Sequence, residues 1–308
     1  MKKQISKAAN LSKVDCLVLM PVGPNCKLSY IFDTIESIYF YMGDKTPIII
    51  VDDSMQGKGK QIVEQFPNVN LITNVKGVRG RINYGLHAGL YLTLSKGLEF
   101  AVENYDFEVL LRLDTDALII DYHPELDAIE HFKSHPDLGL IGSFRIDCNG
   151  DLRGYAGAQK VLRESLKLNE WIKHPRSRTF SWLKWKILHH IARKNGYEPG
   201  DQCMGGAYFM SRQLVEKLYH LELLGMENLA WIKLEEDQLF GLLTYVAGLK
   251  LGDFSTGNYS MGLRHKGLPD HPENLVLRGY KVTHSTKFYN EMNEDQIREF
   301  FRSKRKDG

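Results

Sequence analysis

The chain has 308 residues, 43% of them hydrophobic, enough to build a core for one large or two small domains. Lys and Arg number 40 against 38 Asp and Glu, a net charge of +2, so no global field points to nucleic acid or to a strongly acidic partner. The four cysteines lack Cys-x-x-Cys spacing, no secretory apolar segment follows the basic start, and no apolar run approaches the ~20 residues of a membrane-spanning helix, so free thiols, a cytoplasmic location and at most a peripheral meeting with a membrane at its inner face are expected.

In chain order, residues 14–21 (VDCLVLMP) have strand length and stop where Pro21, Val22, Gly23 and Pro24 open a loop. Residues 28–42 carry Ile31, Ile35, Ile38 and Met42 at helical spacing. Residues 47–52 form a second buried strand ending in Asp52-Asp53-Ser54, which taken alone suits a helix cap or turn. A helix over 61–66, a strand over 69–73 and a long helix over 81–105 follow. Residues 108–122 (EVLLRLDTDALIIDY) then place Asp114 and Asp116 one residue apart at the end of an apolar strand. Like charges so close repel unless a cation or hydrogen-bond donors hold them, and a divalent metal is the usual solution; a turn acid at a strand end is the plainer alternative. Strands of near-continuous Val, Ile and Leu alternating with helices predict an α/β fold with a mainly parallel sheet, helices on both faces, and ligands at the carboxyl ends of the strands. Neither a phosphate-binding G-x-x-x-x-G-K-[ST] nor a dinucleotide G-x-G-x-x-G is present, which excludes the common kinase and dehydrogenase patterns.

In the second half, 124–134 and 159–171 are expected to be helical and 138–143 a strand. Residues 173–194 hold seven Lys/Arg, three His and no acid. As a helix, 180–194 puts Phe180, Leu183, Ile187 and Ile191 on one stripe, expected in the core, with Trp182 and Trp185 on the other side near Lys186 and Arg193. Two tryptophans beside lysines suit an anionic membrane surface or an acceptor wall, or cover by a neighbouring loop or subunit. Gly205-Gly206 lead into an apolar run with Ser211 as the cap of the next helix. Glu235, Glu236 and Asp237 fall in a helical first turn, where the helix dipole favours acids. His284 follows a short strand, and 302–306 read as a solvated basic helix tail.

Together, the strand ending in Pro21-Val22, then IIIVDDS, RGRINYGLHAGL and LLRLDTDA resemble the nucleotide-sugar-binding half of GT-A glycosyltransferases, in particular the inverting family 2 enzymes. The resemblance implies a single Rossmann-like GT-A domain over 1–308, with a donor-binding half at 12–120, an acceptor-binding half at 121–290 and a basic C-terminal helix at 291–308. It implies that Pro21, Val22, Asp52, Asp53 and Arg81 surround the donor nucleotide, most often a uridine nucleotide, and that Asp114 and Asp116, a DXD motif, hold Mn²⁺ or Mg²⁺ together with His284. It implies that Gly205, Gly206 and Glu235 line the donor sugar and acceptor, with Asp237 as general base and Glu236 as its companion. The Gln-x-x-Arg-Trp motif of processive synthases is absent, so one sugar per encounter is expected, transferred to a hydroxyl acceptor. A sugar nucleotidylyltransferase and a non-catalytic nucleotide-sugar-binding module are the alternatives.

Overall fold

Aliphatic strands that must hide both faces need helices on each side, and that layering is what the chain forms. The computed structural model describes residues 11–54, 56–73, 89–172, 179–255 and 260–307. Arg81, with the start of the helix predicted over 81–105, lies outside the described residues.

The first half runs β1 (Ser12–Val22), α1 (Leu28–Met42), β2 (Ile48–Asp52), α2 (Lys58–Gln65), β3 (Asn70–Thr73), α3 (Gly89–Asn104) and β4 (Tyr105–Leu113). After the Asp114–Asp116 turn come β5 (Ala117–Ile119), α4 (Pro124–Ser134), β6 (Leu138–Gly142), α5 (Ala156–Ser165), α6 (Leu168–Ile172) and α7 (Thr179–Lys194). The rest is β7 (Ala207–Ser211), α8 (Arg212–His220), a 3₁₀ turn at Glu227–Trp231, α9 (Glu236–Val246), β8 (Lys250–Asp253), β9 (Met261–Leu263), α10 (Pro272–Leu277), β10 (Val282–His284), the β11 (Phe288–Tyr289) and β12 (Met292–Asn293) hairpin, and α11 (Glu294–Asp307).

The main sheet has the order β3-β2-β1-β4-β7-β6-β8, and only β7 runs against its neighbours, so the sheet is mainly parallel as expected. Alternate residues along each strand serve opposite layers. Leu17, Leu19 and Leu110 face a core completed by α3, α8 and α9, whereas Cys16, Val18, Met20, Val109 and Leu111 face one completed by α1 and Ile62 of α2. All four cysteines are free. Among the described residues no helix is long and apolar enough to cross a membrane.

A second sheet, β5-β10-β9, sits beside the end of β4 and matters more for chemistry than its size suggests. Its register pairs His284 with Ala117, the residue after Asp116, and so carries a late histidine back to the aspartate turn.

The structure departs from the sequence-based expectation at two helices. Helix α7 is turned the other way round: Trp185 is fully buried and Trp182 partly buried, while Leu183, Ile187 and Ile191 are exposed. The reason is that the indole N–H groups have partners inside the fold, Trp185 donating to Ser165 Oγ at 3.1 Å and Trp182 to the Leu166 carbonyl at 3.0 Å. A tryptophan buries more area than an isoleucine, and with its one donor satisfied it wins the inner face. The C-terminal helix is not a solvated tail either. In α11, Ile297 and Phe301 are buried, and Arg298 and Arg305 reach the buried carboxylate of Asp33 in α1.

Candidate active site

Three strand junctions meet at one point. The turn after β4 supplies Asp114 and Asp116, the entry to β7 supplies Gly205 and Gly206, and the end of β10 supplies His284. The Asp114 backbone N–H donates to the Gly206 carbonyl at 2.7 Å, which locks the first two junctions together. Side-chain ligand atoms of Asp114, Asp116 and His284 all lie within 4.8 Å of one another.

His284 Nδ1 is 3.1 Å from the Arg264 carbonyl oxygen. A carbonyl can only accept, so Nδ1 carries a proton and Nε2 is the ring atom that faces the cluster, the one whose lone pair would be offered to a cation as in a metal-ligating imidazole. Nε2 is 3.5 Å from Asp116 Oδ1. Asp116 is otherwise held by Ser285 Oγ–H at 3.0 Å and by Lys287 Nζ at 2.9 Å, both on Oδ2. Burial would raise its pKa, but the His284 and Lys287 contacts outweigh burial and hold the carboxyl well below the usual carboxylate range. Two carboxylates and an oriented imidazole fit a divalent cation, and the imidazole favours Mn²⁺ over Mg²⁺.

The space beside His284 exists because residue 206 has no side chain. Gly206 has φ +102°, and a Cβ there would stand 2.5 Å from His284 Nδ1. Its neighbour Gly205 donates its N–H to Asp237 Oδ2 at 3.2 Å. The two-glycine segment therefore separates the acid–histidine cluster from Asp237 and touches both.

Asp237 lies in the first turn of α9, half-buried, and its other oxygen accepts the Gln238 N–H at 2.8 Å. Burial raises its pKa; the Gln238 N–H, Arg112 and the Gly205 N–H pull the other way without cancelling it. Glu235 is the exposed N-cap of this helix and forms a capping box with Gln238. Glu236 is buried and its oxygen stands 3.1 Å from Arg112 Nη2. Burial raises the Glu236 pKa, against the pull of Arg112.

Arg112 had no assigned role in the sequence. It interrupts the apolar run of β4, only 2% exposed, and the same Nη2 lies 2.9 Å from Asp114 Oδ1. A buried guanidinium thus bridges Asp114 and Glu236, with the Tyr208 ring 5.5 Å from its carbon. Burial opposes its charge, yet the two carboxylates raise its pKa further above the ordinary arginine value. The signal was in the sequence: an arginine inside LLRLD has to meet carboxylates when the strand is buried.

Arg298 is a second residue that pattern alone did not reveal. Fully buried, it donates from Nη2 to the Thr115 carbonyl at 2.8 Å and from Nη1 to Asp33 at 2.9 Å, with its Nε on Glu294 at 3.0 Å. Thr34 Oγ1–H adds contacts to the carbonyls of Thr115 and Ala117 at 3.2 and 3.0 Å. The backbone between Asp114 and Asp116 is therefore clamped by α1 and α11 from below.

A cleft of about 420 Å³ opens over this point, lined by Pro21, Asn25, Tyr30, Asp114, Asp116 and Lys287, among others. Lys58 Nζ donates to the carbonyls of Pro24 and Cys26 and fixes the loop after β1 at its rim. Val22 is buried within β1. Asp52 is buried, with its two oxygens accepting the N–H groups of Ser54 and Gly59 at 2.8 Å, so it shapes the loop and caps α2. Asp53, next along, receives Thr93 Oγ1–H at 3.5 Å. Of the sequence-derived residues, the structure brings together Pro21, Asp114, Asp116, Gly205, Gly206, Glu236, Asp237 and His284, and Arg81 lies outside the described residues.

No protein-family model matches the chain and no curated protein does. Solved structures do. The mannosyltransferase PcManGT from Pyrobaculum calidifontis in complex with GDP-Man and Mn²⁺ is 15% identical with a TM-score of 0.44, over 82% of this chain and 60% of that one. TarS 1–349 of S. aureus in complex with UDP-GlcNAc is 16% identical with a TM-score of 0.41, over 86% of this chain and 64% of that one. The galactosyltransferase LgtC, in complex with donor and acceptor sugar analogs, is 13% identical with a TM-score of 0.44, over 93% and 95%. The chain thus spans about three-fifths of the length of the first two.

Proposed function

We propose that the chain is a metal-dependent, inverting, non-processive glycosyltransferase that moves one sugar from a nucleotide sugar, a UDP-sugar first, to an acceptor hydroxyl. The observation that carries this is the two-glycine segment with a cluster of Asp114, Asp116 and His284 on one side and Asp237 on the other. A divalent cation held by Asp114, Asp116 and His284 would offset the charge that develops on a leaving diphosphate. Lys287, beside Asp116, is a further positive charge at the same place.

The residues of the chain divide the work. Pro21 and the loop after β1 form the cleft wall for the nucleoside, and Asp53, whose backbone N–H donates to the Val22 carbonyl at 2.9 Å, would meet the same nucleoside. Arg112 holds Asp114 in register with α9, and Glu236 keeps that guanidinium charged and in place. Asp237 takes the proton of the acceptor hydroxyl as its oxygen attacks the anomeric carbon from the face opposite the leaving group, so the centre inverts in a single displacement. Its Gly205 and Gln238 contacts keep the carboxylate aimed, and burial makes it a stronger base than an exposed aspartate.

The test is to incubate the protein and Mn²⁺ with single nucleotide sugars and, separately, with nucleoside triphosphate plus sugar phosphate. Slow metal-dependent release of nucleoside diphosphate from one UDP-sugar, with no pyrophosphate from the second mixture, is expected. Pyrophosphate release would show a nucleotidylyltransferase. Binding of donor with no turnover would show a non-catalytic module.

A further inference from the structure

From the exposed face of α7 we infer a docking surface for an anionic lipid bilayer, independent of the tryptophans and of the transfer reaction. Leu183, Ile187 and Ile191 are 48%, 50% and 37% exposed and fall at i, i+4 and i+8, one above the other on the outer face. Ile172, at the end of the adjoining α6, is 66% exposed. An aliphatic stripe in water is costly when the inner face of the same helix already supplies Trp185, Leu188 and Ala192 to the core.

The charges say what covers it. On the helical wheel Lys184 borders the stripe on one side, Lys186, His190 and Arg193 border it on the other, and Lys194 closes its C-terminal end; these are all exposed. No acid occurs anywhere in 173–194, although acids and bases nearly balance over the whole chain. Aliphatic centre and cationic borders are the arrangement of a helix lying in a membrane interface, its apolar face in the acyl boundary and its lysine stems reaching to the headgroups. A second copy of the chain is a poorer occupant. In a two-fold pairing of this face, basic borders would meet basic borders with no acid on α7 to receive them.

The experiment is cosedimentation of the full chain with vesicles of phosphatidylcholine alone and of an equal mixture with phosphatidylglycerol. The wild type and two double variants, Leu183→Gln/Ile187→Gln and Lys184→Gln/Lys186→Gln, are compared, all at exposed positions that leave the core intact. The wild type is expected to partition onto the anionic vesicles and not onto neutral ones. The lysine pair should cost about thirtyfold in partitioning and the aliphatic pair about tenfold or more. Equal pelleting with both vesicles, or binding indifferent to both variants, overturns the inference. So does a dimer in light scattering that Leu183→Gln/Ile187→Gln dissociates, since the face would then belong to a second copy.

Discussion

Asp237→Asn is expected to lower the transfer rate by about 10²–10⁴-fold while leaving metal-dependent donor binding within a few-fold of the wild type. The substitution keeps the shape of the side chain and an oxygen for one of the two N–H groups, from Gly205 and Gln238, that hold Asp237. It removes the ability to take a proton. Because Asp237 sits across the two-glycine segment from the acid–histidine cluster, the change should not reach the residues that hold metal and diphosphate. The pH profile gives an independent check with a definite sign. A base must be ionised to act, and burial raises the pKa of Asp237, so the acid limb of the wild-type rate should lie above the ordinary aspartate value of about 3.9. Residual activity in the variant should lack that limb. Loss of donor binding together with transfer would instead place Asp237 in the donor site.

Gly206→Ala should weaken the metal site about 10–100-fold from a position that ligates nothing. At φ +102° an alanine is strained whatever the surroundings, at a cost on the order of 1–2 kcal/mol. The larger effect is steric. A Cβ 2.5 Å from His284 Nδ1 cannot coexist with the present ring position, and the ring cannot turn without breaking its bond to the Arg264 carbonyl. That bond sets both tautomer and direction of Nε2, and losing such a support typically weakens metal binding about 10–100-fold. Isothermal titration of Mn²⁺ into folded Gly206→Ala protein reads this directly. Wild-type affinity in the variant would mean that His284 is not a ligand.

The sheet was legible from residues because buried parallel strands such as 47–52 carry little besides Val, Ile and Leu, and the loops between them carry Pro, Gly and Asp. The aspartate turn was legible for the same reason, since two acids after an apolar run stand out. The rest depended on pairings that sequence distance hides. His284 reaches Asp116 through the β5–β10 register, and Arg298 clamps Thr115 from a helix that begins almost at the end of the chain. The 302–306 segment reads as solvated because its basic residues are counted without Asp33, a buried acid in α1 that draws Arg298 and Arg305 inward. Helix α7 misleads because its two apolar faces have the same periodicity. Only the partners of the indole N–H groups, Ser165 and the Leu166 carbonyl, decide which face turns in. Asp52 reads as a cap when taken alone and as a nucleotide ligand beside the aspartate pair, and its two oxygens are occupied by backbone N–H groups.

The most direct measurement is a titration of Mn²⁺ in the presence of UDP, followed by electron paramagnetic resonance, on the wild type, Asp116→Ala and His284→Ala. One bound Mn²⁺ per wild-type chain is predicted, with affinity lower by on the order of tenfold or more in each variant. No Mn²⁺ bound by the folded wild type, or equal binding by Asp116→Ala, would contradict a metal-dependent donor site at the end of β4.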